Sequence, residues 1–139
     1  MTDLVIDASV AIKWVVEEEG TAEALALRHR KLIAPDLIVA ECANILWKKV
    51  RRAELSAEEA GIAGRLLANA DLDLMPTRSL MDAALEIAML LDHPAYDCLY
   101  LALAEQTGST FVTADSRLLS RARTFARFQG RLTDLREGR

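Results

Sequence analysis

Several protein classes are excluded by what this chain has little of. Its 139 residues include only two cysteines, three prolines and six glycines. Two cysteines are too few for a disulfide-rich scaffold, and neither Cys42 nor Cys98 has the neighbouring Cys or His spacing of a zinc site. Both lie inside apolar helical patterns, so we expect buried, reduced thiols.

Long apolar runs, repeats and linkers are missing as well. No apolar segment approaches the roughly 20 residues that span a bilayer. Asp3 and Asp7 occupy positions where a secretion signal would carry basic residues, so we expect a cytoplasmic protein with no membrane partner. Because 52% of the residues are hydrophobic and no Gly/Ser-rich linker interrupts them, we predict a single folded domain over residues 1–139.

The charge balance is acidic overall but uneven along the chain. The net charge is -4 and the isoelectric point is about 5.2, which taken alone argues against a nucleic-acid partner. The stretch from Arg117 to Arg139, however, carries seven arginines and few acids. Local charge therefore matters more than the sum.

Short apolar runs alternate with helical patterns. Strands are predicted at 4–6, 32–35, 72–75 and 110–113, with a weakly marked strand near 131–132. Helices are predicted from about residue 10, over 21–31, 36–52, 56–70, 79–91 and 95–106, and after Asp115, with capping boxes at 56–59 and 79–82. This alternation predicts an α/β sandwich around a mostly parallel sheet.

Four carboxylates interrupt otherwise apolar segments: Asp7, Glu41, Asp97 and Asp115. Each follows a predicted strand or lies early in a helix, and ligands of parallel sheets bind beyond the carboxyl ends of the strands, so we expect the four to converge. Two unit charges about 4 Å apart repel by roughly 4 kcal/mol at an effective dielectric near 20. Such a cluster needs protons or a divalent cation, and hard oxygen ligands favour Mg²⁺ or Mn²⁺ and phosphodiester chemistry.

Each carboxylate also has an ordinary structural interpretation. Asp115 suits a helix N-cap, Asp97 a first-turn partner of the helix dipole, Glu41 a solvated helix face and Asp7 a turn. The metal site is favoured because four such coincidences would have to fall at one end of the sheet.

Four segments carry a family resemblance. The segments "VIDASVAIKW", "PDLIVAECANIL", "AYDCLYLALA" and "FVTADSRLL", in this order, resemble the PIN-domain ribonucleases, and at this length the VapC toxins of bacterial toxin–antitoxin pairs. The resemblance implies a three-layer α/β/α sandwich with a mostly parallel central sheet. It also implies an Mg²⁺-dependent (or Mn²⁺-dependent) endoribonuclease that inhibits translation, forms a homodimer and is neutralised by a cognate antitoxin in a hetero-oligomer.

The resemblance also assigns roles to individual residues. It implies that the catalytic and metal-binding carboxylates are Asp7, Glu41, Asp97 and Asp115, with Ser9, Asn44 and Thr113 as polar supports. Water activated by the metal would cleave RNA to 5′-phosphate and 3′-hydroxyl ends. The connection at His93-Pro94 departs from the usual pattern, in which we would expect a small, flexible link.

Basic residues near the acidic site are expected to hold RNA phosphates. Lys13, Arg117 and Arg121 are the candidates because they follow Asp7 and Asp115 closely.

Aromatic and histidine side chains have plainer interpretations. Trp14 and Trp47 are predicted to pack against neighbouring elements, with a groove for an amphipathic antitoxin helix as the alternative. His29 and His93 have no partner at catalytic spacing, so we expect both to be incidental.

Two other functions remain open at this stage. A phosphate-handling domain of the receiver or aspartyl-phosphatase type also places an aspartate after a parallel strand, but it needs a second acid beside it, which "DAS" lacks. The chain could also be a catalytically weak PIN module that binds RNA or a partner without cutting. Turnover with Mg²⁺ distinguishes that module from a nuclease.

Overall fold

Five short strands form one parallel sheet. A computed structural model describes residues 3–137, and within them the strand order is β3-β2-β1-β4-β5, with every neighbouring pair parallel. The strands are β1 (Leu4–Ile6), β2 (Leu32–Pro35), β3 (Asp73–Met75), β4 (Thr110–Thr113) and β5 (Leu132–Asp134). β1 and β2 are buried throughout, because both faces of a parallel sheet are covered by helices. The predicted α/β/α sandwich is confirmed.

Helices connect the strands and cover the sheet. They are α1 (Ala8–Ala11), α2 (Thr21–Ala26), α3 (Leu37–Arg51), α4 (Ala57–Ala68), α5 (Met81–Leu91), α6 (Ala95–Thr107) and α7 (Ser116–Ala122). α6 is buried continuously from Cys98 to Ala104 because it lies between α5 and the strands β1, β2 and β4. A helix that is apolar all round is expected in such a position.

The helix starts agree with the sequence predictions in one case and differ in another. Ser56 and Glu59 form the predicted capping box of α4, with both reciprocal hydrogen bonds present. The second predicted capping box is wrong: residues Thr77–Leu80 form a 3₁₀ turn, and α5 begins at Met81. Thr77 is held by residues 36 and 37: its N–H donates to Asp36 Oδ1 at 3.0 Å and its hydroxyl accepts the Leu37 N–H at 3.1 Å.

Two further boundaries differ from the predictions. α1 begins at Ala8 rather than near residue 10, because the Asp7 carbonyl accepts the N–H groups of Val10 and Ala11. α2 is shorter than predicted: it ends at Ala26, and a 3₁₀ turn leads into the extended residue Arg30 before β2. The weakly marked last strand is present as β5, one residue later than predicted.

The cysteines are buried free thiols, as predicted. Burial raises the pKa of Cys42 to about 12 and that of Cys98 to about 11, so neither thiol is a reactive nucleophile at neutral pH. No helix within residues 3–137 is long and apolar enough to cross a membrane.

Candidate active site

Asp7 lies where β1 passes directly into α1, and it is only 6% exposed. Its two carboxylate oxygens accept hydrogen bonds from hydroxyls: Ser9 Oγ donates to Oδ1 and Thr113 Oγ1 donates to Oδ2, each at 2.5 Å. Burial raises the pKa of Asp7 to about 6, although the two hydroxyls act in the opposite direction. The buried carboxylate is therefore satisfied by neutral donors and not by a basic side chain.

The β1–β4 pairing brings Thr113 to Asp7. Ile6 is in register with Val112, so the next residue of each strand stands at the same carboxyl edge of the sheet. The two hydroxyls are themselves fixed by the backbone: the Ala114 N–H donates to Ser9 Oγ and the Asp115 N–H donates to Thr113 Oγ1, each at 3.1 Å. Both carboxylate oxygens of Asp7 are thus oriented by a network that includes the start of α7.

Glu41 reaches the same region from α3. The hydroxyl of Tyr100 donates a hydrogen bond to Glu41 Oε1. Burial raises the pKa of Glu41, and the charge of Asp97 raises it further. Tyr100 is fully buried and its ring stacks on Phe111 with centroids 5.6 Å apart.

Tyr100 is a site residue beyond those predicted from the sequence. Two features of the sequence point to it. A phenol in an apolar helix needs a hydrogen-bond partner, and Tyr100 follows Asp97 by three residues and so shares its helix face.

Asp97, Asp115 and His93 form a compact group in which one ligand atom from each lies within 4.8 Å of the others. Asp97 is in the first turn of α6, and His93 Nε2 lies 2.6 Å from Asp97 Oδ2. Asp115 is also the N-cap of α7, since its Oδ1 accepts the N–H groups of Arg117 and Leu118. The expectation that His93 has no partner at catalytic spacing is wrong.

The four predicted carboxylates lie close enough together that the charge of one raises the pKa of another. The charges of Asp97 and Glu41 raise the pKa of Asp7, and Asp115 raises that of Asp97, where burial is the largest cause. None of the ion pairs among residues 3–137 joins a lysine or arginine to any of the four. An acidic cluster around a buried aspartate, with no lysine or arginine partner, fits a divalent cation, and its oxygen donors suit a hard one.

Comparison with known proteins gives the family. A family model of the PIN domain matches residues 4–124. The chain belongs to the PIN-domain family. The resemblance carried by the four sequence segments is thereby confirmed.

Individual relatives cover most of this PIN domain. The chain is 34% identical over 119 residues to "Ribonuclease VapC3" of Pyrobaculum aerophilum, covering 83% of this chain and 91% of the relative. "Ribonuclease VapC9" of Mycobacterium tuberculosis is 33% identical over 115 residues, covering 83% and 87%. The crystal structure of PAE2754 from Pyrobaculum aerophilum aligns with a TM-score of 0.68, 20% identity and coverage of 97% and 85%, which supports the fold alone.

Other predicted site residues of this PIN domain lie in different surroundings. Asn44 is exposed on α3 and makes no side-chain hydrogen bond that involves residues 3–137. Lys13 is mostly buried and pairs with Glu18 at 3.1 Å. Arg121 donates to the Leu91 carbonyl at 3.1 Å and also to that of Asp92, so it ties α7 to the end of α5.

Arg117 is the predicted phosphate-binding residue with the most accessible position. Its side chain is exposed at the start of α7, two residues beyond Asp115.

The tryptophans differ from each other. Trp14 is packed as predicted: its Nε1–H donates to the Ala24 carbonyl at 2.9 Å, and Arg28 lies over its ring. The packing prediction is wrong for Trp47, which is 53% exposed on α3 with Arg51 over its ring.

Proposed function

We propose that this PIN domain is a divalent-metal-dependent endoribonuclease that acts as the toxin of a toxin–antitoxin pair and inhibits translation. The observation that carries the proposal is the cluster of buried Asp7 with half-buried Glu41, Asp97 and Asp115, none of which pairs with a lysine or arginine among residues 3–137. Relatives named VapC ribonucleases, 33–34% identical to the chain, support RNA as the substrate. We treat residues 1–139 as one catalytic domain.

Asp7, Asp97 and Asp115 would hold the ion, and Glu41 would act through a water or a second ion. Mg²⁺ is the expected ion, with Mn²⁺ as an alternative, because both prefer oxygen ligands. The ion would supply a nucleophilic water at neutral pH and neutralise charge on the phosphate, giving 5′-phosphate and 3′-hydroxyl ends.

The remaining site residues position these carboxylates. Ser9 and Thr113 each occupy one oxygen of Asp7 and favour its ionised form, which ion binding requires. Tyr100 orients Glu41 in the same way. Because burial raises the pKa of both carboxyls, protons compete with the ion, and we expect metal affinity to fall below about pH 6.

RNA phosphates would be held by basic residues beside the acidic site. We assign Arg117 first because its exposed charge is available for phosphates. Arg121 and Lys13 are weaker candidates, since Arg121 is engaged with backbone carbonyls and Lys13 with Glu18.

Protein partners follow from the resemblance to the VapC toxins. We propose a homodimer that also binds a cognate antitoxin. An apolar groove of about 180 Å³ between α3 and α4, lined in part by Trp14, Leu46 and Leu67, has the character that an amphipathic antitoxin helix needs.

The proposal is tested by RNA cleavage with purified protein freed of any bound antitoxin. Total cellular RNA is incubated with Mg²⁺, with Mn²⁺ and with chelator, and the new RNA ends are sequenced. Asp7→Asn removes one ligand charge while keeping the size of the side chain. Asp71→Asn, an exposed acid before β3, is the matched control.

Discrete 5′-phosphate ends that require both metal and Asp7 would support the nuclease. We expect Asp7→Asn to lose nearly all cleavage and Asp71→Asn to retain it. If no metal gives cleavage while RNA or a partner protein still binds, the chain is the binding module instead.

A further inference from the structure

His93 contacts the acidic cluster through one ring nitrogen only. His93 is 7% exposed, and its Nε2 lies 2.6 Å from Asp97 Oδ2. The other ring nitrogen, Nδ1, is buried and has no hydrogen-bond partner within the described residues 3–137. This asymmetry decides which nitrogen carries the proton.

A neutral imidazole has one N–H donor and one acceptor nitrogen. A proton on Nδ1 would bury an N–H donor without an acceptor, and such orphaned donors are rare in folded proteins. A proton on Nε2 has an acceptor, because the oxygen 2.6 Å away belongs to the carboxylate of Asp97. The favoured tautomer therefore donates from Nε2 to Asp97 Oδ2.

We propose that His93 is a positioning residue for metal binding: by donating to Oδ2, it orients Asp97 toward the cation that the acidic cluster would hold. This deepens the proposed function and rests on its metal site. Hydrogen bonds to ligating carboxylates commonly determine metal affinity in this way.

The local sequence builds the contact. Pro94 is the N-cap of α6 and Asp97 is the third residue of that helix, from which side chains reach back toward the residues before the cap, as in a capping box. His93 occupies that preceding position, so the spacing H-P-x-x-D itself aligns the two side chains.

Several contacts hold the backbone that leads into His93. The His93 N–H donates to the Ala88 carbonyl at 3.1 Å. Asp92 makes the turn between α5 and α6 with a φ of 52°, and Arg121 binds the carbonyls of Leu91 and Asp92. The short connection at His93-Pro94, which departs from the family pattern, is therefore fixed, and it holds the imidazole in position.

The test measures Mn²⁺ binding by the EPR signal of the free ion, without RNA. His93→Leu removes the N–H donor and replaces the imidazole with an apolar side chain of similar size. We expect the dissociation constant for Mn²⁺ to rise about 10- to 100-fold. His93→Gln places an amide N–H near the position of Nε2, and we expect it to restore most of the affinity. His29→Gln, at an exposed histidine, is the matched control and should bind as the wild type does.

A wild-type protein that binds Mn²⁺ together with an equally tight His93→Leu variant would overturn this inference and leave the proposed function standing. Equally weakened Mn²⁺ binding in His93→Leu and His93→Gln would also overturn the inference. The loss would then come from the changed packing and not from the missing N–H donor. Failure of the wild type itself to bind Mn²⁺ would reject the metal-dependent function and this inference together.

An independent measurement needs no variant. Long-range ¹⁵N–¹H NMR of the wild type distinguishes the two imidazole tautomers, and we expect Nε2 of His93 to carry the proton. A proton on Nδ1 alone would overturn the inference even if His93→Leu did not fold.

Discussion

Asp7→Asn is expected to make the metal-free protein more stable at high pH and less stable at low pH. Burial raises the pKa of Asp7 from 3.8 to about 6. The native state therefore binds this proton more tightly than the unfolded chain, so the free energy of unfolding falls as the pH rises from about 4 to about 6. A shift of roughly 2 pKa units corresponds to about 3 kcal/mol.

Asparagine removes the cost of burying a charge, but it accepts the hydrogen bonds of the two hydroxyls less well. Ser9 and Thr113 both donate to Asp7, whereas an amide offers one oxygen, and the poorer pairing costs about 1 kcal/mol. The variant should therefore be more stable by about 2 kcal/mol at about pH 8 and less stable by about 1 kcal/mol at about pH 4.

The assay is thermal and chemical unfolding in chelator at both pH values. For a chain of this size the gain at high pH corresponds to a rise in Tm of about 6 °C. Added Mn²⁺ should stabilise the wild type and not the variant, since only the wild type binds it tightly. Asp71→Asn serves as the control and should change little. An Asp7→Asn variant that is destabilised at high pH, or equally affected at both pH values, would refute the reasoning.

Three further predictions concern single contacts. Tyr100→Phe removes the donor to Glu41 and should lower the free energy of unfolding by about 1 kcal/mol; unchanged denaturation at neutral pH would contradict this. Ser56→Ala should cost about 1 kcal/mol through loss of the α4 cap with RNA cleavage unchanged, and a cleavage assay beside urea unfolding checks both. Arg117→Ala should reduce the slope of log K for RNA against log salt by about 0.7, whereas Arg65→Ala on the exposed side of α4 should not; equal slopes would remove Arg117 from the RNA-binding surface.

The elements predicted best from the sequence are those whose pattern is local. Leu4–Ile6 and Leu32–Pro35 are continuous apolar runs, which strands buried on both faces require. Ser56 and Glu59 satisfy each other within one helical turn. The same reasoning fails at residues 79–82, because Thr77–Leu80 form a 3₁₀ turn in which Thr77 is hydrogen-bonded to residues 36 and 37, and α5 begins only at Met81. A contact 40 residues away cannot be read from a four-residue pattern.

The site residues also divide into those with a local sequence signal and those without one. Asp7, Glu41, Asp97 and Asp115 stand out in sequence because each is a charge among apolar residues, and the parallel topology explains why they meet. Tyr100 was missed because its hydroxyl is used by a residue of another helix. His93 is not predicted by the sequence pattern although its partner lies only four residues away, because proline usually indicates a chain break, whereas Pro94 is here the N-cap of α6.

The central position of β1 affects when the site forms during synthesis. Asp7 emerges from the ribosome early, but the hydroxyl that holds its second oxygen lies 106 residues later, and Asp115 follows it. A nascent chain that stops before β4 contains the first carboxylate of the cluster without its support or its last carboxylate. Incomplete chains therefore lack the complete cluster on which the proposed ribonuclease activity depends.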